Sequence, residues 1–399
     1  MKILILTDHY PPNIIGGAEI NCELITQELI HRGHSVIVLT SNYGIGKNEI
    51  NGNIFRVLKC CRGLSLNKVL RRVLQIKRLF AAIKNYSITK KIVKMIRPNL
   101  VFIWNFADVT ILPVLAVQDL KVPTLFHVGS HSIIRQKEDI YGQNSWIKIF
   151  YHSALIGFRR FSEMQVKHVI FIGENLANDF RKAGVENSSF RVIKNGIPDE
   201  WILNKPLINW TKGDSVRLLY VGRISPEKGS DIAIKTLEVL IEEFGLFDIS
   251  LDLFGTGNVE YMNRLKDYVT NHNLSEHINF HGYLDRDRII NEYARFNILI
   301  FPTPKYEGLS TVIIEAMARG LFVIASRIGG PMDIITHGKD GILVYPIEPG
   351  QFALTIYQYL SNPAEITRIK ENAIKKISEN FRFTKMIDEY EEYILELIK

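Results

Sequence analysis

Ile298-Leu-Ile-Phe-Pro-Thr-Pro-Lys-Tyr-Glu-Gly-Leu-Ser-Thr-Val-Ile-Ile-Glu-Ala-Met-Ala-Arg-Gly-Leu-Phe-Val-Ile-Ala325 is the stretch that decides the architecture. Residues 298–301 form a short apolar run of strand type, and Pro302, Pro304 and Gly308 break it into a loop. Apolar side chains then recur at helical spacing over 311–319, and 322–325 is a second strand-like run. Strand, helix and strand in such quick succession make a βαβ unit, whose sheet is parallel and covered on both faces.

The same alternation runs outward in both directions. Towards the N-terminus it gives strands at 216–221, 249–254 and 278–281, with helices at 231–244, 259–272 and 288–295. Before the turn-rich stretch 195–214 lies an independent series. It holds a strand at 3–6, a loop rich in Pro and Gly at 9–17 and a helix at 18–32 stopped by Gly33. Strands follow at 35–40, 100–103, 124–128, 168–172 and 189–193. The chain is therefore expected to be α/β, two doubly wound Rossmann-like domains. The expected boundaries are 1–198 and 199–375, with a final helical segment, 376–399, packing back on the first domain. Two such domains facing each other put a ligand-binding cleft at the carboxyl ends of their strands.

Composition agrees with a globular enzyme of two domains: 399 residues, 46% apolar and 23% charged. The three cysteines, Cys22, Cys60 and Cys61, lack Cys-x-x-Cys spacing, so neither a disulfide framework nor a zinc site is expected, and a reducing cytoplasm is. The N-terminal apolar run is too short for a signal peptide. The longest apolar stretch, 100–117, is interrupted by Asn105, Asp108 and Pro113, so no bilayer span is expected. Charge is uneven. Residues 1–200 carry 27 Lys and Arg against 15 Asp and Glu, and thirteen of those cations fall between Glu49 and Asp108 with no acidic residue among them. That asymmetry implies an acidic partner for the N-terminal half.

Three loops carry candidate chemistry. In the opening stretch, Glu307 lies in the loop and Glu315 just beyond the first turn of the helix. Gly308, Leu309 and Ser310 between them form the helix entry, where free N–H groups and the positive end of the helix dipole suit a phosphate. Carboxylates flanking that seat can hold sugar hydroxyls. The same residues also fit a plain helix with a capping Ser and a solvated Glu. Val221-Gly-Arg-Ile-Ser-Pro-Glu-Lys-Gly229 follows a strand and offers Arg223 and Lys228 on a loop made pliable by Gly222 and Gly229, either to neutralise a diphosphate or as an exposed basic turn. Leu253-Phe-Gly-Thr-Gly257 closes the next strand with Gly255, leaving room for a flat ligand. Each of the three ends a strand of the second series.

Order and spacing here resemble the family 4 retaining glycosyltransferases of the GT-B fold. That family has a Glu-x7-Glu motif, reproduced from Glu307 to Gly320, and a Gly-Arg-x4-Lys-Gly loop, matched from Gly222 to Gly229. Its Tyr-Pro-Pro and Gly-Gly loop is matched from Tyr10 to Gly17, and its Asn-Gly-Ile at the second domain's entry by Asn195–Ile197. The resemblance implies that Glu307 contacts the transferred sugar and Glu315 the ribose. It makes Arg223 and Lys228 bind the diphosphate, helped by Gly16 and Gly17 and by the backbone of Gly308 to Ser310. His127, ending the strand 124–128, corresponds to the family's histidine near the donor sugar. Gly222, Gly255, Tyr283 and Leu284 complete the implied donor-binding set. Departures are Val128 after the histidine, where Asp is usual, Gly173 for Ser and Phe322 for Pro; the first bears on the acceptor side.

The activity so implied is that of a retaining, metal-independent hexosyltransferase with a UDP- or GDP-sugar as substrate and no cofactor. Metal independence is part of what the resemblance implies, and the cations of the loops can supply the charge a metal would bring. A sugar-nucleotide epimerase of similar fold, or a non-catalytic nucleotide-sugar-binding protein, is the alternative. A nicotinamide dehydrogenase would need Gly-x-Gly-x-x-Gly after the first strand, and Gly16-Gly17-Ala18-Glu19 does not supply it. The stretch 68–97 is helical in period, with Arg71, Arg72, Lys77 and Arg78 interleaved among apolar residues. It fits attachment to an anionic membrane surface or a solvated helix covering the sheet. A glycan or lipid-linked acceptor at the inner face of the membrane follows from the first reading. No nucleic-acid module accompanies the charge.

Overall fold

The computed structural model describes residues 1–60, 68–131, 164–184, 189–206, 211 and 213–399, with the backbone alone for 68–79. They form two compact units, residues 1–193 with 387–399, and residues 194–386.

The first unit is built on strands β1 (Lys2–Leu6), β2 (Ser35–Ser41), β3 (Glu49–Asn51), β4 (Ile54–Leu58), β5 (Leu100–Ile103), β6 (Thr124–Val128), β7 (His168–Phe171) and β8 (Ser189–Val192). They make one sheet in the order β3-β4-β2-β1-β5-β6-β7-β8. Every pairing is parallel except β3 with β4. Helices α1 (Gly17–His31), α2 (Lys68–Ile96), α3 (Leu112–Gln118) and α4 (Glu174–Lys182) belong to the same unit. In β1, Ile3 to Leu6 are wholly buried. A central parallel strand has no wet face, which is why it reads as an unbroken apolar run. The β3–β4 hairpin was not marked in the sequence reading; Gly52, at φ +55°, turns it in two residues.

The second unit has strands β9 (Val216–Val221), β10 (Ile249–Phe254), β11 (Ile278–Gly282), β12 (Ile298–Phe301), β13 (Phe322–Ser326) and β14 (Ile342–Val344). All are parallel, in the order β11-β10-β9-β12-β13-β14. Counted from β9 this is the 3-2-1-4-5-6 order of a doubly wound sheet. Its helices are α5 (Ser230–Glu242), α6 (Val259–Asn271), α7 (Arg286–Glu292), α8 (Thr311–Ala318), α9 (Pro331–Ile334), α10 (Pro349–Leu360) and α11 (Pro363–Asn380). The helix expected at 288–295 starts earlier, because Asp285 caps it by accepting from Arg288 N at 3.0 Å, and it ends as a 3₁₀ turn over Tyr293–Arg295.

Helix α12 (Phe383–Ile398) passes into the first unit at Ile387. Tyr390 is buried there with its ring 5.9 Å from that of Phe102. Arg32 reaches Glu391 at 2.7 Å and Asp388 at 2.8 Å, and Arg191 reaches Glu396 at 2.6 Å. No helix among the described residues is long and apolar enough to cross a membrane.

In each sheet the order of connection reverses beside the first strand, between β1 and β5 and between β9 and β12. Loops leaving the carboxyl ends of such a strand pair diverge and open a crevice where ligands bind. Each unit therefore has one such position.

Candidate functional site

In the second unit, the loops after β9 and β12 are fastened together by backbone contacts. Gly229 adopts φ +72°, and a Cβ on it would stand 2.1 Å from the Pro302 carbonyl oxygen. Only glycine permits that approach. One residue on, Thr303 donates its hydroxyl to Glu227 O at 3.0 Å. These contacts bring Lys228 and Glu307 face to face, and the ammonium pairs with Glu307 Oε1 across the crevice. From the other side, Gly330 N donates to Glu307 O at 2.8 Å, and a Cβ at Gly330 would meet Gly308 O at 2.1 Å. The Gly329–Gly330 turn after β13 thus holds the backbone of Glu307 and Gly308. Nothing in the sequence analysis marks it, although Gly-Gly-Pro shortly after a strand is a turn signal.

The two carboxylates stand in different surroundings. Side chains of Lys228 and Glu307 are 25% and 23% exposed, so their pairing contributes no more than about 1 kcal/mol and can be exchanged. Glu315 is 4% exposed. It accepts from Arg286 Nε at 2.8 Å and from the Tyr293 hydroxyl at 3.1 Å. Burial pushes its carboxyl up, and the Arg286 guanidinium opposes that shift. Arg286 itself lies over the Trp201 ring, 4.9 Å from its centroid. Removing one partner of so buried a pair costs about 3–5 kcal/mol, so the Glu315 carboxylate is held in a fixed position. Arg286, Tyr293 and Trp201 are distant in sequence from the Glu-x7-Glu stretch, and nothing in their spacing announces them.

Arg223 is exposed and has no carboxylate partner among the described residues. Its carbonyl accepts from the Tyr220 hydroxyl at 2.9 Å, which fixes the loop beneath it. Ser310 occupies the N-cap of α8 but makes no side-chain cap bond, contrary to the plain capped-helix reading. Leu309 is buried under this entry. The first-turn N–H groups have no intrahelical acceptor and suit an anion.

One expectation is corrected. The glycine at 255 does not leave space for a flat ligand. A Cβ there would lie 1.9 Å from Gly222 O, and one at Gly257 2.0 Å from Ile224 O. Neighbouring backbone fills the room. Gly255, at φ +147°, serves the packing of the β9 and β10 loops, whereas a Cβ at Gly222 would come no nearer than 3.8 Å to the Tyr220 hydroxyl and only its φ of +151° favours glycine. Tyr283 is 67% exposed just after β11, with Leu284 half-buried beside it.

Gly16, Gly17 and His127 belong to the first unit. Gly16 caps α1, its N–H donating to Glu19 Oε2 at 2.8 Å. A Cβ at Gly16 or Gly17 would meet nothing within 4 Å among the described residues. Packing therefore gives no reason for these two glycines, unlike Gly229, Gly255, Gly257 and Gly330 of the second unit. His127, at the end of β6, stacks on Trp104 with ring centroids 3.6 Å apart and planes 3° apart. Burial pushes its pKa down to about 3, so the ring is neutral at physiological pH. Its Nε2 is buried without a partner among the described residues. His127 can exchange hydrogen bonds but cannot serve as a cation.

Residues 208–376 match the family described as Glycosyl transferases group 1, and residues 15–201 match Glycosyltransferase Family 4. The chain is 25% identical to an uncharacterized glycosyltransferase of Methanocaldococcus jannaschii, over 98% of this chain and 96% of that protein. It is 21% identical to an uncharacterized 42.6 kDa protein in the cps region of Klebsiella pneumoniae, over 83% and 86% of the two chains. The crystal structure of Anabaena HepE in complex with UDP and glucose shares the fold, with a TM-score of 0.70 at 19% identity, covering 99% of this chain and 100% of that one. Two family matches, met in sequence by the Glu307–Glu315 and Arg223–Lys228 motifs and in structure by two doubly wound units, lead to one conclusion: the chain belongs to the family 4 glycosyltransferases of the GT-B fold.

Proposed function

We propose that the chain is a retaining hexosyltransferase that takes a sugar from UDP or GDP and passes it to a lipid-linked or surface-polysaccharide acceptor. The observation that carries this reading is the Lys228–Glu307 pair across the crevice between β9 and β12. A cation held there by an exchangeable carboxylate suits a diphosphate, which displaces Glu307 from Lys228. Arg223 supplies a second cation and the entry of α8 supplies N–H donors. Released from Lys228, Glu307 turns to the hydroxyls of the transferred sugar, while the fixed carboxylate Glu315 takes the ribose.

In the step proposed, the bond between C1 of the sugar and the β-phosphate oxygen breaks and the acceptor oxygen bonds C1 on the same face. The acceptor proton passes to the departing phosphate. Arg223, Lys228 and the helix entry stabilise the charge that develops there, so no metal ion is needed for it. The UDP and glucose bound by HepE support UDP as donor nucleotide, and the cps-region relative supports a polysaccharide product.

Membrane attachment belongs to the same reading. Helix α2 contains no acidic residue. Its described half buries Ala82, Asn85, Thr89, Val93 and Ile96 in the unit. The opposite face presents Lys84, Lys91 and Lys94 with the exposed apolar residues Phe80, Ile83 and Met95. Cations around protruding apolar groups suit an anionic leaflet. The side chains of Arg71, Arg72, Lys77 and Arg78 lie outside the described residues.

A screen of UDP-, GDP- and ADP-sugars, reading nucleotide release with and without a lipid-linked acceptor, tests the proposal. Acceptor-dependent release from one UDP- or GDP-sugar, unchanged by added Mg²⁺, is expected. Nucleotide binding with no release under any pairing would instead make the chain a binding protein, and conversion of the donor without an acceptor would make it an epimerase.

A further inference from the structure

The crevice of the first unit, between β1 and β5, carries its own set of side chains. His9 follows β1, Asp108 follows β5 and Cys60 follows β4. His9 Nε2 lies 2.8 Å from Asp108 Oδ2, and one donor atom from each of His9, Cys60 and Asp108 lies within 4.8 Å of the other two. His9 is only 4% exposed, and its Nδ1 is buried without a partner among the described residues.

The loops that carry these residues are pinned from behind. Asn85 of α2, wholly buried, accepts from Lys59 N at 2.7 Å and donates to Lys59 O at 2.9 Å and Val109 O at 3.1 Å. Asp8 accepts from Val109 N at 2.9 Å, and Ser41 donates to Asp8 O at 2.6 Å. Residues adjacent to all three members of the cluster are thus held by directed hydrogen bonds, buried at Asp8 and Val109 and part-buried at Lys59. Such support fixes ligands in place around a metal.

We infer that His9, Cys60 and Asp108 form a binding site for a divalent cation of the zinc type. Imidazole, thiolate and carboxylate together are a zinc donor set. Tetrahedral zinc puts its ligand atoms roughly 3.3–3.8 Å apart, so the cluster closes on an ion with side-chain adjustments of about an ångström. Hard cations such as Mg²⁺ disfavour thiolate, which separates this site from any role in phosphate neutralisation. The bound ion would clamp three strand-end loops of the first unit.

Co²⁺ added to the metal-stripped full chain is the direct probe, because cobalt bound to thiolate shows a near-ultraviolet charge-transfer band. One Co²⁺ per chain with that band is expected, lost in Cys60→Ser and retained in Cys22→Ser and Cys61→Ser. His9→Gln and Asp108→Asn should each weaken Co²⁺ binding at least tenfold, and Zn²⁺ should raise the melting temperature of the wild type but not of Cys60→Ser. Absence of the band in the wild type would overturn the assignment, as would a band that survives Cys60→Ser or vanishes in Cys61→Ser. Should His9→Gln fail to fold, the serine variants still decide.

Discussion

The two crevices, between β9 and β12 and between β1 and β5, arise from one topological rule yet hold different chemistry. The second unit places Lys228 against Glu307, a hard cation paired with a hard anion and about one quarter exposed. The first unit places His9 against Asp108 with Cys60 alongside, a softer set whose imidazole is buried. Backbone topology makes the opening, and the residues after the strands choose the ligand. Their supports differ as well. Glycines packed against carbonyls fasten the second-unit loops, at 229 on Pro302 and at 330 on Gly308. A buried amide, Asn85, fastens those of the first unit.

The strongest way to break this contrast is to remove the hard charge. Lys228→Ala or Arg223→Ala should lower kcat/KM for the nucleotide-sugar by roughly 100-fold or more, about 3 kcal/mol, in a protein that still folds because both residues sit on a loop. Steady-state kinetics with thermal melts checks this. Activity within threefold of wild type would take that residue out of the mechanism.

Asn85→Ala tests the support on the other side. The change removes the bonds of Asn85 to Lys59 N, Lys59 O and Val109 O, the last of them buried, and it should cost about 2 kcal/mol of unfolding free energy in denaturant titrations. Co²⁺ uptake should fall with it, while nucleotide binding should not. Loss of nucleotide affinity equal to the loss of stability would show that the two crevices are not separate.

His127 sharpens the contrast through pH. Its pKa lies near 3 in the folded chain and near 6.5 once unfolded. Below about 6.5 the unfolded state binds a proton that the folded state does not, so stability falls as pH drops from there toward 3. The slope this one group adds is at most about 1.4 kcal/mol per pH unit. His127→Phe should flatten the dependence over that window. A profile identical to the wild type would contradict the neutral, buried ring.

Much of the second crevice was legible in sequence, because its charged residues lie on short loops between strands and helices of strong period. Arg223, Lys228 and Glu307 could be placed after strands from the apolar runs at 216–221 and 298–301 and the glycines and prolines that break them. The pairing of Lys228 with Glu307 could not, since it depends on which strands become neighbours. Glu315 could be placed in its helix, but not its partners Arg286 and Tyr293, which arrive from another element. Gly255 was misread because a glycine needed for ligand approach and one needed for backbone packing look the same in a sequence. The first crevice was hidden more thoroughly: positions 9, 60 and 108 follow three different strands, so no metal-type spacing exists to be found. The hairpin at Glu49–Leu58 escaped because its first strand is only three residues long.

The central claim is that Lys228 exchanges Glu307 for a diphosphate, and calorimetric titration of UDP and GDP onto wild type, Glu307→Gln and Glu315→Gln tests it most directly. Glu307→Gln frees Lys228 and should bind the preferred nucleotide a few-fold more tightly, by about 1 kcal/mol or less, while turnover falls. Glu315→Gln should bind it more weakly. Equal loss of affinity in both variants, or no binding of either nucleotide to the wild type, would contradict the account.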